Sequence, residues 1–231
     1  MTVIEQQQDR KAFELTRIDG HGYDLAKRVF DLVICIFVLP VVSVLIMLIA
    51  VVIALDSPGS PIFTQERIGK GGRRFLLYKF RTMAKDYDDR AHRAFMQAFI
   101  AGQIMSGHDL PGKPLFKPPI QNHITRVGRI LRKTSLDELP QILNVLRGEM
   151  SLVGPRPNVP WEVEKYLDWH RERLRALPGI TGLAQVRGRS GISFDTIVRY
   201  DLEYFEKQCL LLDMKILWWT VTSVIGGRGA G

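Results

Sequence analysis

The chain has 231 residues, 46% of them apolar, with a formal charge of +8 and a pI near 9.7. That apolar content excludes disorder as the main state, and the positive balance points to a polyanionic partner: nucleic acid, an anionic membrane surface or a phosphate-rich substrate. The two cysteines, Cys35 and Cys209, form no CxxC pair, and none of the five histidines has metal-type spacing or a Ser or Cys nucleophile beside it, which argues against structural zinc and against zinc, Ser or Cys hydrolases.

Residues 1–26 read as a polar N-terminal segment. Residues 29–55, "VFDLVICIFVLPVVSVLIMLIAVVIAL", carry one charge, Asp31, and as a helix they reach about 40 Å, enough to cross a bilayer core. A buried core helix seldom stays apolar on all faces for so long. A signal peptide needs a shorter apolar region and a small-residue cleavage site, whereas this run ends in "LDSPGSP". Pro40 removes a backbone donor and crowds the carbonyl of Ile36, which predicts a kink or break. Cations stand on both sides, Lys27 and Arg28 before the run and Arg67, Lys70, Arg73, Arg74, Lys79 and Arg81 after it. The positive-inside rule therefore places both flanks in the cytoplasm. A re-entrant helix-break-helix over 27–56, broken near Pro40, satisfies that; a kinked single span is the alternative.

"SPGSP" (57–61) ends the helix. Two extended runs follow, Ile62 to Glu66 and Phe75 to Phe80, joined by a glycine-rich turn at Gly69 to Gly72. The GKGG lacks the spacing and the strand-to-helix context of a phosphate loop, so it reads as a hairpin turn. Residues 86–122 are polar and then Pro/Gly-rich, with one helix through "DRAHRAFMQAFIAG", and read as a surface insertion over a site or against a partner. Helices are predicted over 136–147, 160–176 and 196–225. In the last of these Trp218 and Trp219 fit either a membrane interface or core packing.

"TSLDELPQILNVLRGEMSLVGPRP" (134–157) opens with adjacent carboxylates. Ser135 and Glu138 fit a capping box, which would explain Asp137 and Glu138 as helix-start residues. The neighbourhood offers a second reading. Arg126, Arg129, Arg132 and Lys133 precede the pair, and Arg147 and Arg156 follow it. Nearby positive charge and a helix N-terminus favour the carboxylate anion, which can then act as a nucleophile or a divalent-metal ligand while arginines hold phosphate oxygens. Pro155 and Pro157 restrict the backbone on either side of Arg156, which suits an anion clamp or a structural salt bridge. The chemistry indicated is phosphoryl transfer beside a membrane.

These blocks, with "KRVFD", "SPGSPIFTQERIGKGGRRFLLYKFRTM", "LPGITGLAQVRGR" and "RYDLEYFEKQCLLLDMKILWWT", resemble the bacterial sugar transferases, monotopic phosphoglycosyl transferases, from Lys27 to Ala230. The resemblance implies a mostly helical α/β fold: a re-entrant membrane helix, a small hairpin or sheet, interfacial helices and a catalytic domain over 57–231. That domain would lie on the cytoplasmic face of the bacterial inner membrane. It implies transfer of a sugar 1-phosphate from a UDP-sugar to polyprenol phosphate with release of UMP, as the initiating step of a surface glycan. Asp137 would be the nucleophile that forms a phosphosugar-aspartyl enzyme, Glu138 its partner, and both would be ligands of Mg²⁺. Arg132 and Arg156 match positions around the phosphates, Asp201 and Tyr204 a pattern near the site, and Gln185 and Arg189, with Gly182, a turn approaching the nucleotide.

The chain departs from its relatives in a longer 86–122 segment and in Gln121, Asn122 and His123, where an Asp-Pro-Arg is frequent. The multi-span N-terminal extension of larger relatives is not expected. Membrane lipid is an expected partner, nucleic acid is not, and homo-oligomerisation is left open. The alternative from another class is a non-catalytic basic module attached to the membrane and binding anionic lipid.

Overall fold

The computed structural model describes residues 20–84, 89–103, 123–188 and 192–226. Arg189, Gln121, Asn122, most of the N-terminal segment and the Pro/Gly-rich part of the insertion lie outside the described residues. Among those described, the protein is mostly helical, with two two-stranded sheets.

Helix α1 (Gly20–Asp56) takes up the whole apolar run. It continues through Pro40, so the expected break is not present as an interruption of the helix. One missing donor removes a single bond from a long ladder, and the Ser43 hydroxyl donates to the Pro40 carbonyl at 2.9 Å. One stripe of α1, spaced by alternating threes and fours, faces the rest of the protein. Cys35 packs with Leu77, Ile142, Val145 and Met150, flanked by Leu39, Val42 and Ile46. Further along, Ile49 and Ile53 meet Phe80 and Leu131. The opposite face, including Ile36, Phe37, Val41, Val44, Leu48, Val51 and Leu55, is exposed. In its most apolar window mean hydropathy is 3.3 and only 11% is buried, which does not describe the core helix of a soluble protein.

Both ends of α1 are fastened to the same globular body. Near the start Lys27 Nζ donates to Asp213 Oδ2 at 2.8 Å, Arg28 Nη2 donates to the Leu146 carbonyl at 2.8 Å, and the Leu152 amide donates to Asp31 Oδ1 at 3.3 Å. At the far end the Val127 amide donates to Asp56 Oδ2 at 3.3 Å, and Arg81 donates to the carbonyls of Ser57 and Pro58.

Strands β1 (Ile62–Ile68) and β2 (Arg74–Phe80) form the expected antiparallel hairpin, with Phe63 opposite Lys79 and Arg67 opposite Phe75. The turn between them needs left-handed backbone at Gly71 (φ 67°) and Gly72 (φ 80°), which glycine adopts without steric cost. Period-two alternation puts Arg67, Leu77 and Lys79 on one face. Helix α2 (Arg90–Ile100), within the insertion, buries Ile100 with Phe194, Val198 and Tyr166.

Helix α3 (Arg126–Thr134) leads into the acidic stretch. The helix expected over 136–147 is a 3-10 turn, Leu136–Gln141, followed by α4 (Ile142–Arg147); Pro140, inside the turn, has no N–H to give an α-helical ladder. Strands β3 (Ser151–Val153) and β4 (Gly179–Thr181) pair in parallel. The run 160–176 breaks into α5 (Pro160–Val163), α6 (Asp168–Arg171) and a 3-10 turn (Glu172–Arg175), and α7 (Leu183–Gly188) follows β4. The last run divides at Gln208 and Cys209 into α8 (Phe194–Lys207) and α9 (Leu210–Ile225). On α9, Leu211, Met214, Trp218 and Trp219 are exposed, so core packing of the tryptophan pair is set aside.

Candidate active site

The acidic pair is placed by an abrupt junction. Helix α3 ends at Thr134, and Ser135 takes left-handed backbone (φ 56°, ψ 16°) as its C-cap, with its amide bonded to the Arg132 carbonyl. An N-cap needs extended backbone, so the expected capping box does not form, and Ser135 makes no side-chain cap. The 3-10 turn that starts at once carries Asp137, buried, and Glu138, partly exposed.

Arg156 Nη1 donates to Glu138 Oε1 at 3.1 Å. Arg132 Nε donates to Thr82 Oγ1 at 2.9 Å, so the last turn of α3 is tied to the end of the hairpin. That approach depends on Gly128, where an added Cβ would lie 2.2 Å from the Thr82 carbonyl oxygen. An open, shallow cleft is lined by Arg67, Lys79, Glu138, Gln141, Arg156 and Ile180, among others. Among the described residues no hydrogen bond or ion pair engages the Asp137 carboxylate.

Burial is the largest influence on Asp137 and pushes its carboxyl above the usual range; Glu138 adds to this, while Lys79, Arg132 and Arg156 oppose it. The cations expected to favour the anion do pull that way, and desolvation opposes them with the larger influence. Burial, with Arg156 and Arg67, pushes Lys79 down to about 8. Burial, with Arg156, pushes Arg67 down to about 10. The site is thus a cluster of three or four cations around two carboxylates, an arrangement able to receive a diphosphate beside an available carboxylate oxygen.

A family model described as bacterial sugar transferase matches residues 22–227. The chain belongs to the bacterial sugar transferase family. Among curated proteins this sugar transferase is 38% identical over 206 residues to the exopolysaccharide production protein ExoY of Sinorhizobium fredii, covering 89% of this chain and 88% of that protein. It is 40% identical over 212 residues to a UDP-glucose:undecaprenyl-phosphate glucose-1-phosphate transferase of Caulobacter vibrioides, covering 87% and 70%. It is 39% identical over 211 residues to the galactosyl transferase CpsE of Streptococcus agalactiae, where it covers 91% of this chain and 44% of that protein. The chain thus spans nearly all of one relative and less than half of another.

The other residues singled out in the sequence make their contacts with partners other than the acidic pair. Asp201, buried on α8, pairs with Arg173 at 2.5 Å, and burial pushes its carboxyl up to about 6 against the pull of Arg173. Tyr204, also buried, donates its hydroxyl to Asp213 Oδ1 at 2.7 Å, with the Val153 carbonyl 3.2 Å from the same oxygen. Gln185 donates from Nε2 to the carbonyl of Ile180, a cleft residue, at 3.4 Å. Sequence reasoning did not single out Arg67, Lys79 or Gln141. The signal for the first two was the alternation of the hairpin, which puts both cations on the face of Leu77.

Proposed function

We propose that this protein transfers a sugar 1-phosphate from a UDP-sugar to polyprenol phosphate, releasing UMP, as the first step in building a bacterial surface glycan. The observation that carries the reading is the Asp137–Glu138 turn, with Glu138 bonded to Arg156 and with Lys79, Arg132 and Arg156 all acting on Asp137. The relatives include an undecaprenyl-phosphate galactose phosphotransferase of Salmonella typhimurium and the UDP-glucose:undecaprenyl-phosphate glucose-1-phosphate transferase of Caulobacter vibrioides, which supports the same class.

In the first step an Asp137 oxygen attacks the phosphorus that bears the sugar. The bond between that phosphorus and the bridging oxygen breaks, and UMP leaves with the electron pair. Arg156, Lys79 and Arg132 hold the phosphate oxygens and offset the charge that develops on them. In the second step a polyprenol phosphate oxygen attacks the same phosphorus, the bond to Asp137 breaks, and the carboxylate is restored. Two displacements at a shielded carboxylate replace one direct transfer between bulky anions. Burial of Asp137 keeps water from competing for the intermediate.

Mg²⁺ fits this donor set. Among the described residues no group of three or more His, Cys, Asp or Glu forms a protein cage, and Mg²⁺ commonly takes one or two carboxylates together with substrate phosphates. Asp137, whose carboxylate is unengaged among the described residues, and Glu138 Oε2 would hold it, and the bound ion would neutralise diphosphate charge.

The re-entrant topology belongs to the same proposal. Attachment of Lys27, Arg28 and Asp31 at one end of α1, and of Asp56 at the other, to one globular body supports both flanks lying on the cytoplasmic side of the inner membrane. Single cysteines placed before Lys27 and after Asp56 in a cysteine-free background would then be labelled from the same face of sealed vesicles. Labelling from opposite faces would establish a span instead.

The reaction is tested by UMP release from detergent-purified protein with undecaprenyl phosphate, Mg²⁺ and a panel of UDP-sugars, alongside Asp137→Asn and an EDTA control. Mass spectrometry of the Asp137 peptide after quenching without acceptor should find the added sugar phosphate. Silence of wild type and variant alike, with anionic vesicles still bound, would leave a basic lipid-binding module.

A further inference from the structure

The segment Pro155–Asn158 belongs to no helix, and its only strand-type pairing is the bridge of Asn158 with Ile68, yet four successive carbonyls in it are taken by four donors from three places in the chain. The Gly179 amide donates to the Pro155 carbonyl at 2.9 Å. Arg173 Nη2 donates to the Arg156 carbonyl at 3.2 Å, and Arg67 Nη1 to the Pro157 carbonyl at 3.0 Å. The Ile68 amide donates to the Asn158 carbonyl at 2.9 Å. Two of these donors are side chains. Arg67 lines the cleft, but Arg173 is 3% exposed and stands behind the segment.

Arg173 makes more bonds in the same direction. Its Nη1 donates to Asn158 Oδ1 at 2.8 Å and to the Tyr166 hydroxyl at 2.9 Å. Asn158 is oriented for this because its Nδ2 donates to Glu162 Oε2 at 2.6 Å. The same Nη2 that donates to the Arg156 carbonyl is paired with Asp201 Oδ2 at 2.5 Å, and Asp201 is itself 1% exposed. A guanidinium is a planar fork of fixed geometry, so a partner carboxylate on one edge sets where the remaining N–H groups point.

We propose that Arg173, oriented by Asp201, is a positioning residue that sets the backbone of Arg156 and so aims the Arg156 guanidinium at the phosphates beside Glu138. The inference rests on the transferase reading above. A half-exposed arginine such as Arg156 gains aim only if its backbone is fixed, and here two prolines and four carbonyl bonds fix it. The chain of contact runs from Asp201 on α8 through Arg173 and Arg156 to Glu138, next to the nucleophile. A lysine at position 173 would keep the charge near Asp201 and lose the fork.

The test is a double-mutant cycle on kcat/KM for UMP release, with Arg173→Lys, Arg156→Ala and the pair, and with thermal unfolding of each variant recorded in the same detergent. Arg173→Lys should lower kcat/KM by about tenfold or more in the wild-type background and by less than about twofold once Arg156 is alanine, since removal of the aimed group leaves nothing to aim. A purely structural role would lower the midpoint of unfolding and give losses that multiply in the double variant; that result overturns the proposal. If Arg173→Lys does not fold, the cycle is repeated with Asp201→Asn. Failure of both variants to fold assigns the pair to stability alone and also overturns it. Absence of UMP release from the wild type would instead count against the transferase reading, so the two failures are distinguishable.

Discussion

Arg156 Nη1 lies 3.1 Å from Glu138 Oε1, with the arginine side chain 55% exposed and the glutamate 22%. An ion pair this open contributes only about 0–1 kcal/mol to stability, and on the proposed reaction its value is to hold the fork in place rather than to hold the fold. Arg156→Lys should therefore leave the unfolding midpoint almost unchanged and lower kcat/KM for UMP release by about 10- to 100-fold, through loss of two-pronged phosphate contact. Steady-state kinetics beside a thermal melt checks both halves.

Lys79 gives a pH prediction with a definite sign. With its pKa pushed down to about 8, the ammonium is present below that pH and lost above it, so turnover should decline on the alkaline side with an apparent pKa near 8. Lys79→Arg should move that decline to higher pH. Unfolding does not account for the loss: a lysine titrating lower in the folded state than in the unfolded chain makes stability rise with pH across that interval. A pH–rate profile of both proteins, with melts at each pH, decides it.

Gly128→Ala should be costly although it adds one methyl group. The new Cβ would meet the Thr82 carbonyl oxygen at 2.2 Å, forcing α3 and the hairpin end apart. A loss of about 1–3 kcal/mol is expected by chemical denaturation. Activity should fall further than stability, because Thr82 Oγ1 also accepts from Arg132.

Asp213→Asn tests the fastening of α1. Asp213 is fully buried and accepts from Lys27, Tyr23 and Tyr204, so the change leaves a buried ammonium without its counter-charge. About 3–5 kcal/mol of destabilisation is expected. By comparison Arg187→Ala, at an exposed pair with Glu203, should cost less than about 1 kcal/mol. Unfolding in one detergent compares the two directly.

What the sequence revealed and what it hid follow from distance along the chain. The hairpin was legible because alternation and the Gly69–Gly72 turn are local, and Asp137 and Glu138 stood out because they are neighbours amid arginines. Ser135 misled because "S-x-x-E" is a local signal, whereas its left-handed backbone comes from two helices meeting with no linker between them. Strands β3 and β4, three residues each, are too short to show a period. Arg67 and Lys79 reach the cleft only through strand register, and Arg173 sits in "HRERLRAL", where a charged run reads as a solvated helix face and the partner Asp201 is remote in sequence.

The docked stripe of α1 has a further consequence. Cys35, Ile49 and Ile53 cover Leu77, Val145, Phe80 and Leu131, the same side chains that back the hairpin and the acidic turn. The long apolar helix is therefore also a wall of the enzyme's interior. Cutting the chain after Asp56 would not liberate a water-soluble catalyst but would strip that wall and leave a sticky, misshapen remainder. A soluble form has to be sought by repainting the outward face of α1, at residues such as Phe37, Val41, Val44 and Leu48, with polar side chains while its inward stripe is left as it is.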